Sequence, residues 1–62
     1  MKEKPYDEVG KIIEYENGDM SEDEIIVLFQ HLVDNGHVWA LQGHYGRMAE
    51  ALIEAGLVEE RK

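Results

Sequence analysis

Met20-Ser21-Glu22-Asp23-Glu24-Ile25-Ile26-Val27-Leu28-Phe29-Gln30-His31-Leu32-Val33-Asp34-Asn35-Gly36 is the stretch whose reading decides the fold. Ser21 is followed three residues later by Glu24, the spacing of a reciprocal capping box at a helix start. Met20 and Ile25 fall at the two hydrophobic-staple positions around that cap. Glu22, Asp23 and Glu24 put negative charge at the positive end of the helix dipole. The pattern predicts a helix from 22 to about 34. Ile25, Leu28, Phe29, Leu32 and Val33 form its buried face, and Ile26 lies on the flank. Asn35-Gly36 ends it. A helix here also removes the strand partner that residues 38–41 would need for a hairpin through Asn35-Gly36.

Working downstream, Val38-Trp39-Ala40-Leu41 reads as a single helical turn broken by Gly43. A last helix spans 44–55, with Tyr45, Met48, Ala49, Leu52 and Ile53 on one face. Gly56 is its left-handed stop, and Leu57 is placed to contact Leu52 as in a Schellman motif. Helix 2 and the last helix are expected to pack together, with Trp39, Leu41 and Tyr45 as the hub between them. Upstream, Tyr6, Val9, Ile12, Ile13 and Glu16 have helical spacing, giving a short first helix near 6–16. A helix this short is unstable alone, so it must dock a Tyr6/Val9/Ile13 stripe on the rest. Gly10 weakens it by ~1 kcal/mol relative to Ala. Asn17-Gly18 ends it. The fold expected is all-α: one compact domain over 1–62, three helices plus a short extra turn before the last. Residues 1–5 and 58–62 are expected to fray.

Sixty-two residues form a small core. Chains of this size bury only about 60% of their unfolded surface and need disulfides, metal, self-association or very good packing. There is no Cys, which excludes disulfides and thiolate metal sites. The apolar residues of helix 2, with Trp39 and Tyr45, leave room for a homodimer. The longest apolar run, Ile25 to Phe29, is far too short to span a membrane, and Met1 to Pro5 lacks a signal-peptide core. A cytoplasmic setting is expected.

The net charge of −8 is uneven. Residues 1–24 hold nine acids and three Lys, residues 25–47 hold Asp34 and Arg47, and residues 48–62 hold four acids against Arg61 and Lys62. Phosphate backbones are bound through Lys and Arg, so direct nucleic-acid binding is disfavoured. A helix-turn-helix reader would have to be the last helix, which carries Glu50 and Glu54 beside a single Arg. A protein partner with a basic surface suits this charge better.

An enzyme is not expected. Cys and Thr are absent, and the single Ser, Ser21, is used as a cap. No catalytic residue and no cofactor is assigned. His31, His37 and His44 lack the i, i+4 spacing of a helical metal pair, so no metal ligand is assigned either. If Gly18 were an EF-hand glycine, Ile13 and Tyr15 would fall at the first and third ligand positions, which rules that loop out. Gly43-His44-Tyr45-Gly46-Arg47 is the most suggestive segment. A glycine-flanked helix start can offer backbone N–H groups to an anion, with His44 and Arg47 assisting. The competing reading has Gly43 and Gly46 permitting a tight turn and close approach of Trp39, and Arg47 pairing with Glu50 or Glu54. His44, Arg47, Gly43 and Gly46 are therefore candidates for anion binding or partner contact.

Four runs together carry a resemblance: Tyr15-Glu16-Asn17-Gly18-Asp19, Leu28 to Gly36, Trp39-Ala40-Leu41-Gln42-Gly43-His44-Tyr45-Gly46-Arg47, and Ala51-Leu52-Ile53-Glu54-Ala55-Gly56-Leu57. Over roughly residues 6–57 the chain resembles an uncharacterised family of very small acidic proteins encoded by tailed bacteriophages. Its most specific part is Leu-Gln-Gly-His-Tyr-Gly-Arg. The resemblance implies a phage origin, action in the bacterial host cytoplasm and an accessory role, with no activity to carry over. The function expected is a protein-interaction module acting on a host or phage protein, in its sharper form an acidic inhibitor of a nucleic-acid-binding protein. A small anion- or nucleotide-binding protein and a metal-bound structural protein are the alternatives.

Overall fold

The computed structural model describes residues 6–41 and 43–60. They form three α-helices and one short 3-10 turn, in the order α1 (Glu8–Asn17), α2 (Glu22–Asn35), the turn His37–Ala40, and α3 (Gly43–Glu54). No strand occurs among the described residues, and none of the helices is long and apolar enough to cross a membrane.

The α2 start is the one the sequence specifies. The Glu24 N–H donates to Ser21 Oγ at 3.3 Å, and the Ser21 N–H donates to Glu24 Oε1 at 3.0 Å. Leu28, Phe29, Leu32 and Val33 are buried, and Ile25 and Ile26 pack partly buried against them. Around this edge the core closes with Val38 from the 3-10 turn, Tyr45, Ala49 and Leu52 from α3, and Val58. The α2 helix ends at Gly36, where the expected end signal lies.

The α1 helix is displaced and rotated from the sequence expectation. It starts two residues later, because Asp7 caps it by accepting the Gly10 N–H at 3.1 Å. Tyr6 packs on the core as expected, but Val9 and Ile13 face outward, 69% and 55% exposed. Ile12 and Tyr15 dock in their place. The rotation has a physical cause. Tyr15 meets Phe29 edge-on at 5.4 Å between centroids and Tyr45 at 5.7 Å, and even a partly buried aromatic contributes more contact area than a Val. Gly10 has a local use as well: a Cβ there would clash with the Asp7 carboxylate that caps the helix.

Two further expectations are corrected. Trp39 is not part of the buried hub; it is 48% exposed, and its neighbour Val38 fills the core position. A 3-10 turn advances faster per residue than an α-helix, so one side chain of His37–Ala40 is buried rather than a stripe. Leu41 packs partly buried and Tyr45 is buried, as expected. Residues 58–60 do not fray as a unit, because Val58 is 2% exposed. Gly56, at φ 78°, lets the chain reverse: its N–H donates to the Ile53 carbonyl at 3.0 Å, and the Leu57 N–H donates to the Leu52 carbonyl at 2.9 Å. Gln30 then clamps the tail from α2. Its Oε1 accepts the Glu59 N–H and its Nε2 donates to the Glu59 carbonyl, both at 2.8 Å. The expected fraying of 1–5 and 61–62 lies outside the described residues.

Ser21→Ala removes the hydroxyl half of the capping box while leaving the core intact. It should lower unfolding stability by ~1 kcal/mol, read from the urea midpoint at unchanged slope.

Candidate functional site

The expected segment lies at the start of α3. Its two glycines are not turn-makers. Gly43 and Gly46 both lie in the helix, and neither has positive φ. A Cβ on Gly46 would stand 3.7 Å from Trp39 Cε3, and one on Gly43 would stand 3.5 Å from Arg47 Nη1, both ordinary contact distances. Trp39 therefore does lie over Gly46, but its approach does not require glycine.

His44 is exposed and lies against the aromatic cluster, 4.2 Å from the Tyr45 ring centroid and near-parallel to Tyr15 at 6.2 Å. Tyr45 is buried, and its hydroxyl donates to Glu16 Oε2 at 2.6 Å. Burial, with the Glu16 carboxylate adding, pushes the Tyr45 phenol far above its usual value, so it acts here as a fixed donor. Arg47 is exposed and forms no ion pair with Glu50, Glu54 or any other acid among the described residues. The segment thus presents a guanidinium without an acid partner among the described residues and a ring-supported imidazole near the start of α3.

The other two histidines have a different use. His37 Nδ1 lies 2.9 Å from Glu8 Oε2, and His31 Nε2 lies 3.5 Å from Glu8 Oε1. Asn35 Nδ2 donates to Glu8 Oε1 at 2.8 Å, while Asn35 Oδ1 accepts the His37 N–H at 2.8 Å. Tyr6 lies against His31, with ring centroids 4.5 Å apart. One carboxylate therefore ties the start of α1 to the end of α2 and to the 3-10 turn. The hydrogen bond from His37, supported by Asn35 and by both imidazoles, holds the Glu8 carboxyl below its ordinary 4.5, against the opposing effect of burial. Among the described residues no group of three or more His, Asp or Glu side chains is arranged to hold a metal ion. Sequence spacing gave no signal for this cluster, because Glu8 lies 29 residues from His37 and carries no motif.

The surface also carries an acidic turn between two apolar grooves. Glu22 and Asp23 are exposed and make no ion pair among the described residues. On one side Tyr6, Lys11, Met20, Asp23, Glu24 and Val27 line a hollow of about 210 Å³. On the other, Glu22, Ile25, Ile26, Met48, Leu52 and Leu57 line one of about 260 Å³. The second groove runs between α2 and α3, and it carries no sequence signal because its walls come from two helices and from Leu57, which is 52% exposed.

These observations define the class: a small all-α, three-helix protein with an acidic, partly apolar surface. The chain belongs to the family of the domain of unknown function DUF7417, whose model matches residues 4–62. No curated protein and no solved structure matches it.

Glu8→Gln keeps the shape of the clasp and removes its charge. Because the folded Glu8 carboxyl titrates below its ordinary 4.5, its contribution is fully present above that value and is lost as pH falls through the folded value. The stability difference between wild type and Glu8→Gln should be present above about pH 4.5 and shrink as pH falls below it. Urea melts at a series of pH values measure it, and a difference that stays undiminished below that range would contradict the clasp.

Proposed function

We propose that this chain is a protein-interaction module whose partner presents a basic surface. The observation that carries the reading is the first turn of α2. Glu22 and Asp23 stand exposed without an ion-pair partner among the described residues, and apolar grooves open on both sides of that turn. Unpaired acids beside exposed apolar side chains suit an interface in which charge guides encounter and apolar contact holds it. Trp39, Val9 and Ile13 add exposed apolar area elsewhere on the surface. With the resemblance to tailed-phage proteins, the reading extends to a phage accessory protein acting in the host cytoplasm. In its sharpest form it masks the basic surface of a nucleic-acid-binding protein. It assigns no catalytic residue and no cofactor.

Affinity capture with the full chain from host lysate, at low and raised salt, tests this reading. A defined basic protein should be retained at low salt and lost progressively as ionic strength shortens the screening length. Retention of nothing specific, or capture indifferent to salt, overturns it.

A second reading is favoured by one observation: Arg47 has no acid partner among the described residues, beside two helical glycines whose conformation needs no glycine. The first turn of α3 would then take a phosphate or nucleotide through backbone N–H groups, His44 and Arg47. A phosphate and nucleotide panel should raise the melting temperature of the wild type and leave Arg47→Ala unmoved. A wild type that does not respond counts against it.

A further inference from the structure

We propose that the α2/α3 groove is the docking site for a cationic amphipathic helix of the partner, which places one large apolar side chain in the groove and Lys or Arg against Glu22. The proposal rests on the interaction reading and names the face it uses.

The groove is built rather than incidental. Ile25 and Ile26 of α2 and Met48 and Leu52 of α3 line it, together with Leu57 from the chain after α3. Leu57 is held there by backbone bonds. Its own N–H is tied to Leu52, and two residues on, Glu59 is clamped at both backbone atoms by Gln30. A half-exposed Leu whose backbone is held in this way needs less ordering on binding than one on a loose tail.

The size selects the kind of occupant. About 260 Å³ lies below the range of about 300–1,000 Å³ typical of small-molecule pockets. It suits a single anchoring side chain, as in helix-in-groove recognition. Ala51, three residues after Met48 on α3, is exposed and uncharged, so it puts neither bulk nor charge in the way of a helix along that turn.

Charge selects the sign of the occupant. Glu22 is the acid that lines the groove, while Asp23 and Glu24 of the same helical turn line the groove on the other side. A second copy of this chain would bring its own net −8 to that rim, whereas a cationic helix complements it. The groove on the other side of α2 is smaller, and Lys11 stands in its lining beside Asp23 and Glu24, whereas Glu22 has no cation beside it in the lining of the α2/α3 groove.

The three methionines supply the test. Met48 lines this groove, Met20 lines the other, and Met1 lies outside the described residues. Full-length protein with labelled methionine methyls is titrated with a synthetic helix carrying Leu on one face and Lys on the other. The control is the same peptide with every Lys replaced by Glu. The Met48 methyl should shift saturably with the Lys peptide and at least tenfold more weakly with the Glu peptide. Leu57→Gln should weaken the Lys peptide about tenfold and Glu22→Gln about threefold, changes of the size expected for one apolar anchor and one rim charge. Both sites are exposed, and unchanged melting curves verify the fold of each variant. A shift at Met20 alone, no saturable shift, or equal binding of both peptides overturns the proposal. So does a Met48 shift that follows protein concentration without peptide while the sedimenting mass doubles, which makes a second copy the occupant. Repeating the lysate capture with Leu57→Gln separates the two readings. Equal capture by wild type and variant sinks the groove and leaves the interaction module standing. No capture by either sinks the module itself.

Discussion

The reciprocal bonds between Ser21 and Glu24 fix the residue at which α2 begins, and so determine which side chains the rest of the chain must cover. With that start in place, Leu28, Phe29, Leu32 and Val33 form one continuous edge. No single neighbour covers it. The 3-10 turn contributes Val38, α3 contributes Tyr45, Ala49 and Leu52, α1 contributes Tyr15, and the tail contributes Val58. A core so small tolerates few idle residues, which is why the chain after Gly56 is recruited into it. The Schellman reversal and the Gln30 clamp turn what would be a loose end into a core strap.

The parts of the fold legible in the sequence are those governed by local chemistry. The α2 start was readable because its capping signal lies within four residues. The stop at Gly56 was readable for the same reason, as was the buried face of α3 around Tyr45, Ala49 and Leu52. The rotation of α1 was not. Val9/Ile13 and Ile12/Tyr15 are both plausible apolar faces of one short helix, and the choice is made by Phe29 and Tyr45, which are distant in sequence. Trp39 misled for a related reason. A lone Trp invites burial, yet in a 3-10 turn the small Val38 points inward and the indole is left over Gly46.

The candidate site was legible only in part. His44 and Arg47 lie near the start of α3, as the sequence placed them, but the segment's glycines turn out to be helical. The histidines divide by partner: one lies on an aromatic cluster and two converge on Glu8. That convergence depends on tertiary structure alone. So does the α2/α3 groove, whose walls come from two helices and a tail that sequence periodicity treats separately.

Three polar ties between distant parts of the chain share one number. Glu8 to His37, Glu16 to Tyr45 and Gln30 to Glu59 each span 29 residues. The entropy of closing a loop depends mainly on its length, so the three closures carry nearly equal costs. None gains a head start over the others from chain connectivity. The three intervals overlap, and the first two are offset so little that forming either tie shortens the loop the other must close. A chain wired in this way is suited to folding in a single cooperative step, with its N-terminal, middle and C-terminal ties forming together.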